Sequence, residues 1–153
     1  MSQSDIQRVL REFAQQWNTG PLELDEEASC LLSLDQSLLI TLSWQEKADF
    51  LLAYAPVGSY DAKEDNRQLF QALLEANGAG SSGPVLGIEP SCGLVLLSGR
   101  LSGFGLDVES LAHFLEEFAE QAAAWSKNIA ALHAEKQKRA SATQAPLPRE
   151  IRV

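Results

Sequence analysis

A chain of 153 residues with 45% apolar content has enough side chain to build one core and too little for two full domains. Its formal charge is −9, and because Glu135 to Val153 holds five basic and two acidic residues, the remainder carries −12. Phosphate recognition relies on Lys and Arg displacing counterions, so a body this acidic argues against nucleic acid and favours a basic protein segment as partner.

The first residues hold no apolar signal-like run, and the longest apolar stretches fall well short of a bilayer span. A cytoplasmic protein without membrane insertion is expected. Cys30 and Cys92 lack the paired spacing of a zinc or redox site and sit in or beside apolar strand runs, where free cysteine behaves as a small hydrophobe.

Ser4 and Gln7 fit a capping box, followed by Ile6, Val9, Leu10, Phe13 and Trp17 on one helical face that Gly20 and Pro21 end. An acidic stretch, residues 23–27, leads into strand candidates at 28–34, 38–44 and 49–55. Their short links predict an antiparallel meander. Alternation puts Leu38, Ile40, Leu42 and Trp44 on one face of the middle strand and Leu39, Thr41 and Ser43 on the other. In the third strand neither face is plainly made for water, so cover is expected on both.

Asp61 and Glu64 match a capping box for a second helix, whose apolar stripe is Leu69, Phe70, Leu73 and Leu74. A Gly/Ala/Ser loop at residues 78–83 precedes strands at 85–89 and 94–101. Asp107 then caps a long amphipathic helix bearing Val108, Leu111, Leu115, Phe118, Ala122, Trp125, Ile129 and Leu132, with Leu106 and Leu111 as its hydrophobic staple. Past Leu132 the apolar spacing stops. The predicted organisation is one domain over residues 1–140 and a flexible basic tail over 141–153.

Catalytic groups are scarce. His113 and His133 are twenty residues apart on the last helix, about 30 Å at helical rise, and cannot share a metal. Cys92 with His113 is the one thiol and imidazole pairing to weigh, yet no Lys or His flanks Cys92 to depress its pKa. Gly99, Gly103 and Gly105 lack the spacing and Lys of a phosphate loop and read as turn glycines. Asp25, Glu26 and Glu27 lack the interleaving of a calcium loop. No cofactor or metal is expected.

The predicted order helix, three strands, helix, two strands, helix, an α+β fold with a twisted antiparallel sheet, resembles the Tir-chaperone family of small type III secretion chaperones. The closest local likeness is Leu86-Gly87-Ile88-Glu89-Pro90-Ser91-Cys92-Gly93-Leu94-Val95-Leu96-Leu97, then Leu101, then the helix with Leu111, Leu115, Phe118 and Trp125. The first helix with Ile6, Leu10 and Phe13, and the meander ending at Tyr54, resemble the family's opening half. The resemblance implies a bacterial cytoplasmic homodimer without enzymatic activity or cofactor. It further implies binding of the non-globular N-terminal region of a secreted effector, which is kept soluble and export-competent. Leu69, Phe70, Leu73 and Leu74, beside Leu96 of the fifth strand, would then lie at the dimer interface.

Physical chemistry suggests how such a client is held. An extended peptide can add to a free sheet edge while its apolar side chains enter pockets on the sheet and first helix. Ile6, Val9, Phe13, Trp17, Leu39 and Leu51 are the candidates for that surface, each with the competing use of filling the chain's own core. Two rival functions stand beside the chaperone: a scaffold for a folded cytosolic partner, and a cysteine-dependent enzyme built on Cys92.

Overall fold

The computed structural model of the chain describes residues 1–143. The element order is α1 (Gln3–Trp17), β1 (Ser29–Leu34), β2 (Leu38–Gln45), a short 3-10 turn at Glu46–Ala48, β3 (Phe50–Ser59), α2 (Arg67–Ala76), β4 (Val85–Glu89), β5 (Leu94–Ser102) and α3 (Val108–Thr143). The five strands form one antiparallel sheet in the order β1-β2-β3-β5-β4. This is the α+β arrangement that the hydrophobic periodicity predicts.

Helix starts differ from expectation in instructive ways. Ser2, not Ser4, caps α1: its hydroxyl accepts from the Asp5 N–H at 3.2 Å, and the Asp5 carboxylate accepts from the Ser2 N–H at 3.1 Å. Gln7, the expected far half of a box with Ser4, is used elsewhere. Its amide nitrogen donates to the Leu22 carbonyl at 2.9 Å and its oxygen accepts from the Leu24 N–H at 2.8 Å, tying the α1–β1 link to the helix. Asp61 likewise does not start α2. It closes a turn five residues earlier, accepting from the Lys63 N–H and, through its carbonyl, from the Asn66 side chain.

Asp107 does cap α3, accepting from the Ser110 N–H at 2.8 Å while its own N–H donates to the Ser110 hydroxyl at 3.0 Å. Leu106 and Leu111 are both buried at this end, as a staple requires. The helix then continues to Thr143, past the last apolar repeat at Leu132. Two polar anchors hold part of that extension: His133 Nε2 lies 2.7 Å from the Ser59 carbonyl, and Lys136 donates to Glu64 at 2.9 Å. Residues 141–143 of the predicted tail are therefore helical, and the rest of it lies outside the described residues.

One face of the sheet carries the core. Cys30, Leu32, Ile40, Leu42, Trp44, Leu51, Ala53, Ala55, Val95 and Leu97 all point into it and pack with Leu10 and Phe13 of α1 and Leu111, Leu115 and Phe118 of α3. Two glycines let α3 lie close. A Cβ at Gly99 would meet the Phe114 and Phe118 rings at 3.3 Å, and one at Gly58 would come within 2.6 Å of Ile129. Gly99 is therefore a packing residue within β5 rather than the turn glycine that the sequence suggests. β3 also runs four residues beyond its expected end, passing Pro56 by means of a register shift between Pro56 and Gly58.

The caps give the fold an acid limit. Asp5 is held below its ordinary 3.8 by the Ser2 hydroxyl and then the Ser2 N–H, and Asp107 by the Ser110 N–H and then its hydroxyl. A carboxylate whose folded pKa is depressed stabilises the fold above its unfolded value and loses that contribution as pH falls through the folded one. The melting temperature should hold level from pH 7 to about 5 and decline below about 4, as calorimetry across that range would register. A midpoint that stays level down to pH 3 would show that these caps do not matter.

Candidate functional site: the uncovered sheet face and its β1 edge

No helix lies on the second face of the sheet, which corrects the expectation of cover on both. Leu31 pairs across from Thr41, and Leu39 across from Ser33. Next to them come Tyr54 opposite Thr41, Leu52 opposite Ser43 and Phe50 opposite Gln45, then Leu96 opposite Pro56. The result is a continuous surface of apolar side chains interrupted by a serine and threonine strip. Within that strip Ser29 donates to Ser43 at 3.0 Å, and Gln45 donates to Ser43 at 3.0 Å. The Arg100 guanidinium sits 4.9 Å from the centre of the Phe50 ring.

Val85, toward the β4 edge, is 52% exposed on this face, and at its β1 side Leu31 and Leu39 are open at 59% and 48%. A leucine left that accessible has about half its apolar area still to lose, about 1–1.5 kcal/mol if fully covered. The two sit beside a free edge. β1 is the outermost strand, and at its start Asp25 occupies the partner position, its N–H donating to the Ser29 carbonyl at 2.8 Å and its carboxylate accepting from the Ser29 N–H at 2.9 Å. Alternation along a strand turns the same groups of Leu31 and Ser33 outward. These meet no partner among the described residues.

The other edge is treated differently. Asn77, at the end of α2, donates its side-chain amide to the Leu86 carbonyl at 2.6 Å and accepts from the Leu86 N–H at 2.9 Å. That side chain imitates a neighbouring strand at the second residue of β4 and leaves only Ile88 turned outward without a partner among the described residues, against Leu31 and Ser33 on β1, so β1 is the edge better prepared for an added strand.

The six residues expected to meet a client divide sharply. Ile6, Val9, Phe13 and Leu51 are buried in the core of the single chain and present no surface. Their side chains serve the competing use weighed for them, because α1 packs its apolar stripe under the sheet and Leu51 shares the inner face with its neighbours Trp44 and Leu101. Trp17 and Leu39 remain accessible. Leu31, not among the six, is accessible as well, and its strand parity with Ser29 and Ser33 on the polar face of β1 is the signal that places it there.

The expected dimer residues divide too. Leu69 and Leu73 are buried within the chain, Phe70 is half-buried with its ring edge-on to Tyr60, and Leu96 is half-buried on the uncovered face. Leu74 is 73% exposed.

The two cysteines stand in different settings. Burial first, then the negative charges of Asp25 and Glu23, push the Cys30 thiol up to about 11. Cys92 is exposed, its sulfur 3.9 Å from the Glu89 carbonyl. Among the described residues no cluster of three or more His, Cys, Asp or Glu could hold a metal ion, and no helix is long and apolar enough to cross a membrane.

Comparison with known proteins agrees with this architecture. The fold is similar to that in the ExsC-ExsE complex, with a TM-score of 0.73 and 25% identity over 82% of this chain and 93% of that one. It is similar also to the HopA1-SchA chaperone-effector complex, at 0.66 and 20% over 83% of this chain and 98% of that one. The Yersinia pestis type III secretion chaperone SycH, solved with a stable fragment of YscM2, gives 0.59 and 19% over 78% of this chain and 98% of that one. No curated protein matches by sequence. The family model of the Tir chaperone proteins matches residues 8–126, which spans α1 through the middle of α3, and the chain therefore belongs to the Tir chaperone protein (CesT) family.

Proposed function

We propose that this protein is a cytoplasmic type III secretion chaperone that binds the non-globular N-terminal region of a secreted effector and keeps it soluble and export-competent, without catalysing a reaction. The observation that carries the reading is the combination of a helix-free apolar face with an open β1 edge. A non-globular chain supplies both things that surface lacks, namely main-chain donors and acceptors for Leu31 and Ser33 and apolar side chains to lay against Leu31 and Leu39. The family and the chaperone-effector complexes that share the fold support the same reading. Coexpression with the N-terminal segment of a candidate effector tests it. The segment should remain soluble and copurify, and export should fall when this chain is deleted. A chain that copurifies only with folded domains would instead be the scaffold.

We also propose that the working unit is a homodimer joined around α2. The support is Leu74, too apolar and too open to stand in water at no cost, beside the half-buried Phe70. Leu74→Asp should shift the sedimenting mass from two chains to one while the circular dichroism stays native. Leu73 is unsuited to that test because a charge at a core position would unfold the single chain. A wild-type mass of one chain at every concentration would sink the dimer.

A further inference from the structure

A cleft of about 430 Å³ separates the end of α1 from the first half of α3, lined by Trp17 on one wall and Val108, Glu109, Ala112, His113 and Glu116 on the other. Its features converge on one kind of occupant. The Trp17 indole lies nearly parallel to the buried Phe13 ring, 4.9 Å between centres and 12° between planes, which fixes it from behind. The side chain is nevertheless 44% exposed, leaving aromatic surface free for a stacking group. Neither Glu109 nor Glu116 has an ion-pair partner among the described residues, since the neighbouring His113 reaches Glu117 instead. The negative carbonyl end of α1, whose last turn holds no basic residue, faces the positive N-terminus of α3 at Val108 and Glu109, so the two helix ends offset each other and the carboxylates of Glu109 and Glu116 set the sign of the cleft. The basic residues of α1 are engaged elsewhere, Arg8 with Asp5 and Arg11 with Glu23.

We propose that this cleft is a subsite for an arginine side chain of the bound effector segment, the guanidinium stacking on Trp17 and its fork of N–H groups meeting Glu109 and Glu116. Arginine fits better than lysine because a planar cation can stack on an indole and bond carboxylates at once. The apolar floor of Val108 and Ala112 suits an aliphatic neighbour in the same segment. This inference rests on the effector-binding reading, and it adds that the client is selected partly by positive charge at a site apart from the β1 edge.

The test is a titration of the isotope-labelled full chain with the peptide acetyl-Gly-Leu-Arg-Leu-Gly-amide, following the Trp17 indole N–H resonance identified by its loss in Trp17→Phe. The resonance should shift with the arginine peptide and not with the isosteric citrulline version. Replacing both carboxylates, Glu109→Gln with Glu116→Gln, should weaken binding about fivefold to tenfold while the fold is kept, since both residues are exposed. An equal response to citrulline, an unmoved Trp17 resonance, or indifference to the two glutamines would overturn the subsite. A Trp17 resonance that moves with protein concentration alone would assign the cleft to a second copy of the chain and overturn it too. Effector solubility on coexpression judges the chaperone reading separately: a client kept soluble by a chain whose Trp17 ignores the arginine peptide removes the subsite and leaves that reading standing.

Discussion

Phe13→Asp is expected to unfold the chain rather than to loosen its grip on an effector. The ring is 2% exposed and lies within the core that α1, α3 and the sheet build together. Removing a buried phenylalanine side chain alone costs about 3–5 kcal/mol, and a carboxylate in its place adds the penalty of an unpaired buried charge. Against a total stability of about 5–15 kcal/mol for a domain, that loss leaves little native population. Circular dichroism of the purified variant should show most of the helical signal gone at 25 °C. A variant that keeps a native spectrum and melts cooperatively while losing its effector would return Phe13 to the binding surface.

Leu31→Asp combined with Leu39→Asp should do the reverse. Both side chains stand on the face that no helix covers, so the fold should tolerate the change. Covering the exposed halves of two leucines is worth about 2–3 kcal/mol, and forcing a client onto two carboxylates forfeits it, so affinity for an effector segment should fall about thirtyfold to a hundredfold. Calorimetric titration reads the loss, and the heat-capacity change of wild-type binding should be negative, as burial of apolar area requires. Leu32→Asp, one residue along the same strand but buried, provides the contrast by unfolding the protein. Unchanged effector affinity in the folded double variant would move the binding surface away from β1.

The contrast between Leu31 and Leu32 also shows where sequence reasoning succeeds and where it stops. Period-two alternation in β2 separates inner from outer residues correctly, because the strand keeps a regular pleat from end to end, and the same rule divides Leu31 from Leu32 in β1. Relating one strand to the next is harder. Leu39 and Leu51 look alike as apolar residues of a two-faced meander, yet they lie on opposite faces. The link that decides this contains a 3-10 turn and a left-handed Asp49, and it sets Leu51 opposite Trp44. No periodicity passes through such a link. Helix existence was equally legible from the 3.6 repeat, whereas helix starts depend on which of several nearby Ser and Asp residues finds a backbone N–H, as Ser2 does for α1 and Asp61 fails to do for α2. The end of α3 escaped because residues beyond Leu132 are kept helical by polar anchors to Ser59 and Glu64 rather than by an apolar stripe. The α1–α3 cleft was not legible at all, since it joins side chains about ninety residues apart that meet only through the packing of two helices.

The contrast between the two thiols makes the protein its own spectroscopic ruler. Burial and two nearby carboxylates hold the Cys30 sulfhydryl protonated far above neutral pH, so a maleimide spin label at pH 7 should find a single target, Cys92 in the tight link between β4 and β5. Every chain would then carry one unpaired electron at a defined corner of the sheet without any substitution. In a symmetric pair of chains the dipolar coupling between the two electrons would report one distance, which fixes how far apart the two β4–β5 links stand while the native sequence stays intact.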